Sequence, residues 1–76
     1  MTDNATIEYA ISAIRRFLDE RPGSADTLEG IHRWWIHWPV HEESLFVTLK
    51  ALEQLESTGE IHKLKLGTSV LWRRGK

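Results

Sequence analysis

Between Thr6 and Arg21 apolar residues recur at helical spacing, with Ile7, Ala10, Ile11, Ile14, Phe17 and Leu18 on one side and Glu8, Ser12, Arg15, Arg16 and Asp19 on the other. The pattern predicts an amphipathic helix over residues 6–21, capped by Asp3 or Asn4 and stopped by Pro22-Gly23. Tyr9 falls on its outer face and reads as an ordinary surface tyrosine. Residues 24–26 read as a connector, and Asp26-Thr27-Leu28-Glu29 has the spacing of a capping box, with Asp26 or Thr27 accepting from the first turn and Glu29 near the positive end of the dipole. A second helix is expected over 27–36, with Leu28, Ile31 and Trp35 in line and Gly30 marking close packing against a neighbour. Pro39 ends it, leaving residues 37–40 as a tight connector.

The third predicted helix covers 42–57, starting near His41 or Glu42. Leu45, Leu49, Leu52 and Leu55 form its expected buried stripe, with Thr48 beside them, while Glu43, Phe46, Val47, Lys50 and Gln54 lie on or near the opposite face. Gly59 terminates it. Residues 60–66 and 69–74 then read as two strands joined by Gly67-Thr68, with glycine at the first central position of a two-residue hairpin turn. That turn sets Leu66 opposite Ser69, Leu64 opposite Leu71 and Lys63 opposite Trp72. Leu64 and Leu71 are expected on the core face, with Lys63 stacked on Trp72 across the other face.

At 76 residues the chain is read as one domain, residues 1–76, with only about 60% of its unfolded surface buried on folding, so the core must be compact and rich in aromatic side chains. Four tryptophans meet that need. With no cysteine, neither a disulfide framework nor a thiolate metal site can staple the fold. Met1-Thr2-Asp3-Asn4 carries no basic region with an apolar run behind it, and no stretch reaches the about 20 apolar residues of a membrane span, so a cytoplasmic protein without a membrane partner is expected. The net charge of -1 is unevenly spread. Residues 1–41 carry four Lys/Arg against six Asp/Glu (-2), residues 42–59 one against four (-3), and residues 60–76 five against one (+4), so an acidic body ends in a basic hairpin.

Helix, helix, short turn, helix, hairpin is the order of the winged helix-turn-helix domain. The segment Leu52-Glu53-Gln54-Leu55-Glu56-Ser57-Thr58-Gly59-Glu60-Ile61 resembles the end of that family's recognition helix and the start of its wing, and Leu71 and Trp72 sit where its returning strand places apolar residues. The resemblance covers nearly the whole chain and implies an α+β fold of three helices followed by a C-terminal two-stranded β-hairpin, the wing. It also implies binding of double-stranded DNA, with the third helix in the major groove and the wing beside the backbone. Carried over by position, the contact role falls on Glu43, Phe46, Val47, Lys50 and Gln54 in the helix and on Lys63, Lys65, Arg73 and Arg74 in the wing. The wing fits this role. The helix departs from it, because a groove-reading face presents cations and amides, whereas this one presents apolar side chains and glutamates that repel phosphate.

The most unusual composition is His32-Arg33-Trp34-Trp35-Ile36-His37-Trp38-Pro39-Val40-His41. Trp35 continues the apolar stripe and belongs to the core. Trp34 and Trp38 either fill gaps or, with Phe46, form an exposed aromatic patch of the kind enriched at protein interfaces. His37 and His41 have the four-residue spacing of ligands on a helix face, but Pro39 interrupts any such helix and no third ligand is near, so no metal or other cofactor is expected. Neither a glycine-rich phosphate loop nor a nucleophile motif is present, and no small-molecule ligand or enzymatic activity is expected. The basic hairpin reads equally as an edge kept soluble by charge and as a polyanion contact.

Two functional expectations follow. A DNA-binding transcriptional regulator or accessory factor would use Lys63, Lys65, Arg73 and Arg74 on phosphates, with Lys50 and Gln54 nearest the groove. The alternative is a protein-interaction or homodimerisation module that uses Trp34, Trp38, Glu43 and Phe46 and binds no DNA.

Overall fold

The computed structural model describes residues 4–75. Helix α1, Asn4–Glu20, buries Ile7, Ala10, Ile11, Ile14 and Leu18. The Arg21 N–H still bonds to the Phe17 carbonyl at 2.8 Å before Pro22 halts the helix. Of the two expected caps, Asp3 lies outside the described residues and Asn4 is already in the helix. Tyr9 does more than an ordinary surface tyrosine: its hydroxyl donates to the His37 carbonyl, and its ring lies 6.1 Å from that of Trp38, fastening α1 to the segment after the second helix.

Residues 25–26, expected as part of a bare connector, form a short strand β1, Ala25–Asp26. Helix α2, Leu28–Gly30, continues into a π-helical segment, Ile31–Trp35. Thr27 is the N-cap, its hydroxyl accepting from the Gly30 N–H at 3.1 Å, while the Asp26 carboxylate accepts from the Thr27 N–H at 2.8 Å. Of the two caps the sequence offers, Asp26 or Thr27, Thr27 is the one used, and the box with Glu29 does not form, because with Thr27 as cap the reciprocal position falls on Gly30. That glycine touches a neighbour as anticipated: a Cβ there would lie 2.0 Å from Asp26 Oδ1.

Helix α3 spans Leu45–Ser57, beginning three residues later than residue 42, because Ser44 is extended (φ -70, ψ 154) and the Val47 N–H bonds to its carbonyl at 3.1 Å. Its buried face is Val47, Thr48, Ala51, Leu52 and Leu55. The expected stripe is therefore corrected at both edges. Val47 is core, whereas Leu45 is exposed and Leu49 only half-buried, because Val47, Ala51 and Leu55 stand four apart against α1 and leave the Leu45–Leu49 edge outside.

The helix ends in a Schellman motif. The Gly59 N–H bonds to the Glu56 carbonyl and the Glu60 N–H to the Leu55 carbonyl, both at 3.0 Å, with Gly59 at φ +83. The chain thereby turns into β2, Ile61–Leu66, which pairs antiparallel with β3, Ser69–Arg74. Gly67 at φ +61 supplies the tight turn, and the expected register is observed: Leu66 opposite Ser69, Leu64 opposite Leu71, Lys63 opposite Trp72. Strand β1 adds to the far edge of β3, with Ala25 opposite Arg73 and Asp26 opposite Trp72, so the sheet is three-stranded, in order β1-β3-β2, rather than a lone hairpin.

The core face of the hairpin is the reverse of the expected one. Ile61 and Trp72 are buried, while Leu64 and Leu71 are half-buried on the other side. Lys63 shares the Trp72 face yet remains exposed, its ammonium 5.5 Å from the indole centroid, as a lysine does when its stem lies on apolar surface and its head stays wet. The fold is thus α+β, with three helices and a three-stranded antiparallel sheet around one core that joins α1, the α2 segment, α3, Ile61 and Trp72. Phe17 stacks on Trp35 at 4.4 Å with the rings 11° apart. Among the described residues no helix is long and apolar enough to cross a membrane.

One ion pair ties α1 to the start of the hairpin. Arg15 Nε lies 2.7 Å from Glu60 Oε2 and Nη2 lies 2.8 Å from Oε1, a bidentate geometry. Hydrogen bonding from Arg15, supplemented by the Thr58 hydroxyl, holds the Glu60 carboxyl at about 2, below its usual 4.5.

Two predictions test this packing. Trp35 is 4% exposed and Trp34 72%. Trp35→Ala should lower the unfolding free energy by about 3–5 kcal/mol in urea titrations, and Trp34→Ala should change it by no more than about 0.5 kcal/mol. Because the folded pKa of Glu60 is depressed, the stability it contributes is complete above its unfolded pKa and is lost as pH falls toward about 2. Wild type should therefore lose more stability over that interval than Glu60→Gln, by less than about 1 kcal/mol because the pair is exposed to solvent.

Candidate interaction surfaces

The buried stripe of α3 determines what the helix turns outward. With Val47, Ala51 and Leu55 inside, the opposite side carries Phe46, Lys50, Glu53 and Ser57, and one flank carries Leu45 and Leu49. Phe46 is 49% exposed. The Lys50 ammonium lies 5.4 Å from its ring centroid and 3.5 Å from Glu53 Oε1, so the one cation of this helix is held between an aromatic ring and a carboxylate. Phe46, Lys50, Glu53, Gln54 and Ser57 line an open depression whose other wall is Asn4 and Ile7 of α1.

Of the hairpin cations, Lys63, Lys65 and Arg74 share the Trp72 face of the sheet, and Arg73 stands on the other. Lys63 lies 3.9 Å from Glu56 Oε2 of α3. Lys65 shares its face, and no ion pair of Lys65 is found among the described residues. Arg73 and Arg74 point to opposite faces of β3, opposite His62 and Ile61 respectively. Arg74 borders a concavity together with Arg15, Asp19 and Glu60, so it stands beside carboxylates of α1 and the start of β2.

The residues of the aromatic alternative are also placed apart. Trp34 projects into solvent from the π-helical segment. Trp38 is half-buried, donating from Nε1 to the His32 carbonyl at 3.0 Å and lying 5.1 Å from the His32 ring, so it is a packing residue of the connector. Glu43 lies 3.7 Å from His41 Nδ1.

The residue not anticipated from sequence is His32. It is 1% exposed, at the junction of the π-helical segment and α3. Its Nδ1 lies 2.6 Å from the buried Thr48 hydroxyl. Its Nε2 lies 3.0 Å from Glu42 Oε2 but outside hydrogen-bonding direction, so this is a close approach of the carboxylate rather than a directed bond. The signal was present in the spacing: His32 is four residues after Leu28 and next to Ile31, hence on the inward stripe. Among the described residues no group of three His, Cys, Asp or Glu side chains is placed to hold a metal ion.

No family model, curated protein or solved structure matches this chain.

Thr48→Val keeps the shape of the side chain while leaving the buried His32 Nδ1 without its partner. It should cost about 1–3 kcal/mol in denaturant unfolding. A change within about 0.5 kcal/mol would show that the contact adds nothing to stability.

Proposed function

We propose that this chain is a small, non-enzymatic, cytoplasmic binding module of the winged helix-turn-helix kind, and that the outward face of α3 meets a protein partner or a second copy of the chain. The sequence of helices followed by a hairpin supports the winged-helix reading, and the short β1 strand on the β3 edge is compatible with it. The observation that favours a protein partner over DNA is the state of Phe46 and Lys50. Where a groove-reading helix offers free cations and amides, α3 offers Leu45 and Phe46 in the open, and its only lysine is already engaged by Glu53. An exposed aromatic ring bordered by charge is the composition of an interface anchor.

A second reading retains DNA binding through the hairpin. In its favour, Lys65, Arg73 and Arg74 take part in no ion pair among the described residues. On that reading Lys63, Lys65, Arg73 and Arg74 hold phosphates while Lys50 and Gln54 lie nearest the groove, and affinity falls steeply with salt.

The test is an NMR titration of the labelled chain with a mixed-sequence duplex at low salt, followed by dilution without DNA. The proposed reading expects no duplex response in α3. It expects any concentration-dependent shifts to centre on Leu45, Phe46 and Glu53, and Phe46→Ala to remove them while moving stability by no more than about 0.5 kcal/mol. Salt-sensitive duplex shifts at Lys50, Gln54, Lys63, Lys65, Arg73 and Arg74 would overturn it in favour of DNA. Absence of both responses would leave a foreign protein as the partner.

A further inference from the structure

Strand β2 is an edge of the sheet. Its side chains alternate: Ile61, Lys63 and Lys65 share a face with Trp72, and His62, Leu64 and Leu66 share the other. Its backbone groups alternate as well. A two-residue turn makes Leu66 and Ser69 a hydrogen-bonded pair, and an antiparallel ladder repeats such a pair at every second residue, so His62, Leu64 and Leu66 bond to β3. The bond from the Gly75 N–H to the Glu60 carbonyl, 2.9 Å, continues the same phase. The N–H and C=O groups of Lys63 and Lys65 therefore point to the free edge, and no backbone partner for them is found among the described residues; Ile61 is in the same phase but is 1% exposed, so the open stretch begins after it.

We propose that this edge accepts an extended segment of a partner protein as a fourth strand, and that the segment alternates carboxylate and apolar side chains. The backbone groups that would bond an incoming strand belong to the two lysine positions, so a residue paired with Lys63 or Lys65 brings its own side chain up beside the ammonium on the same face. A carboxylate is attractive beside Lys65, which has no ion pair among the described residues, and beside Lys63 it shares the ammonium with Glu56, 3.9 Å away. The intervening residues of the segment fall beside Leu64, half-buried, and Leu66, 54% exposed, where apolar side chains cover what the sheet leaves open.

A second copy fits this edge poorly, because registers that keep its lysines apart, with the twofold at His62 or Leu66, pair only the ends of the strand. Antiparallel pairing of β2 with itself sets Lys63 against Lys65 when the twofold passes through Leu64, and a lysine against its own copy when it passes through Lys63 or Lys65. The lysines that disfavour self-pairing are thus the ones that select an acidic strand. This surface is separate from the outward face of α3, and the inference stands whether or not that face binds a protein.

The experiment uses the labelled full chain and two blocked seven-residue peptides, one alternating Val and Glu, the other Val and Lys. With the Glu peptide, the amides of Lys63 and Lys65 should shift and gain at least about tenfold protection from hydrogen exchange, as new ladder bonds require. The Lys peptide should have no effect. Replacing both lysines, Lys63→Glu with Lys65→Glu, should weaken the Glu peptide by about tenfold or more and create binding of the Lys peptide. Phe46→Ala should leave these responses unchanged, which separates this site from the α3 face. The proposal is overturned if about 2 mM Glu peptide leaves the Lys63 and Lys65 amides unchanged. It is equally overturned if shifts arise without exchange protection, as a polyanion such as DNA touching only the ammonium groups would produce.

Discussion

The two-residue turn at Gly67-Thr68 is the constraint on which the C-terminal half of the molecule depends. Because side chains and backbone bonds in a strand both alternate with period two, the turn decides several things at once. It directs Ile61 and Trp72 into the core beneath the helices and leaves Leu64 and Leu71 half-covered on the far side. It also points the backbone of β3 at Trp72 toward β1, and the backbone of β2 at Lys63 and Lys65 toward solvent. A slip of one residue would bury lysines, expose the tryptophan and unpair β1.

The helical half is built around the corresponding problem of filling a small core. Trp35 stacked on Phe17 and Trp72 opposite Lys63 supply bulk that a short chain cannot gain from many aliphatic side chains. His32 and Thr48 bring polar atoms into that interior, and the bond between His32 Nδ1 and the Thr48 hydroxyl across the α2–α3 junction aligns the two segments. With the core filled from these positions, Leu45, Phe46 and Leu66 remain outside it. A 76-residue chain that keeps several large apolar side chains in solvent has surface available for partners, and the charges around them set which partners fit.

Much of this was legible in the sequence where one period dominated. The α1 stripe, Trp35 as core, the glycine at the end of α3 and the hairpin register all follow from spacing and turn chemistry. The α3 face did not, because leucines at 45, 49, 52 and 55 outweigh Val47 and Ala51 by hydrophobicity, whereas the space against α1 selects small side chains four apart. The hairpin face was misassigned because Lys63 opposite Trp72 suggests an exposed pair; Ile61, two residues earlier on the same face, was the contrary sign. Strand β1 has two residues, too few for any periodicity, and exists only because β3 offers it an edge. His32 is a polar residue whose interior place shows in the sequence only through its position on the Leu28 stripe. For the candidate surfaces, sequence identified the cations and aromatics but not their partners: Lys50 with Glu53, Lys63 with Glu56, and Arg73 and Arg74 on opposite faces are matters of tertiary placement.

The hairpin phase fixes both the buried tryptophan and the open edge. Amide hydrogen exchange, residue by residue along β2, tests it most directly. The account predicts protection at His62, Leu64 and Leu66, whose N–H groups bond to β3, and rapid exchange at Lys63 and Lys65, whose N–H groups face solvent. Protection at Lys63 and Lys65 with fast exchange at His62 and Leu64 would contradict it. The core face and the open edge described here would then both be assigned to the wrong residues.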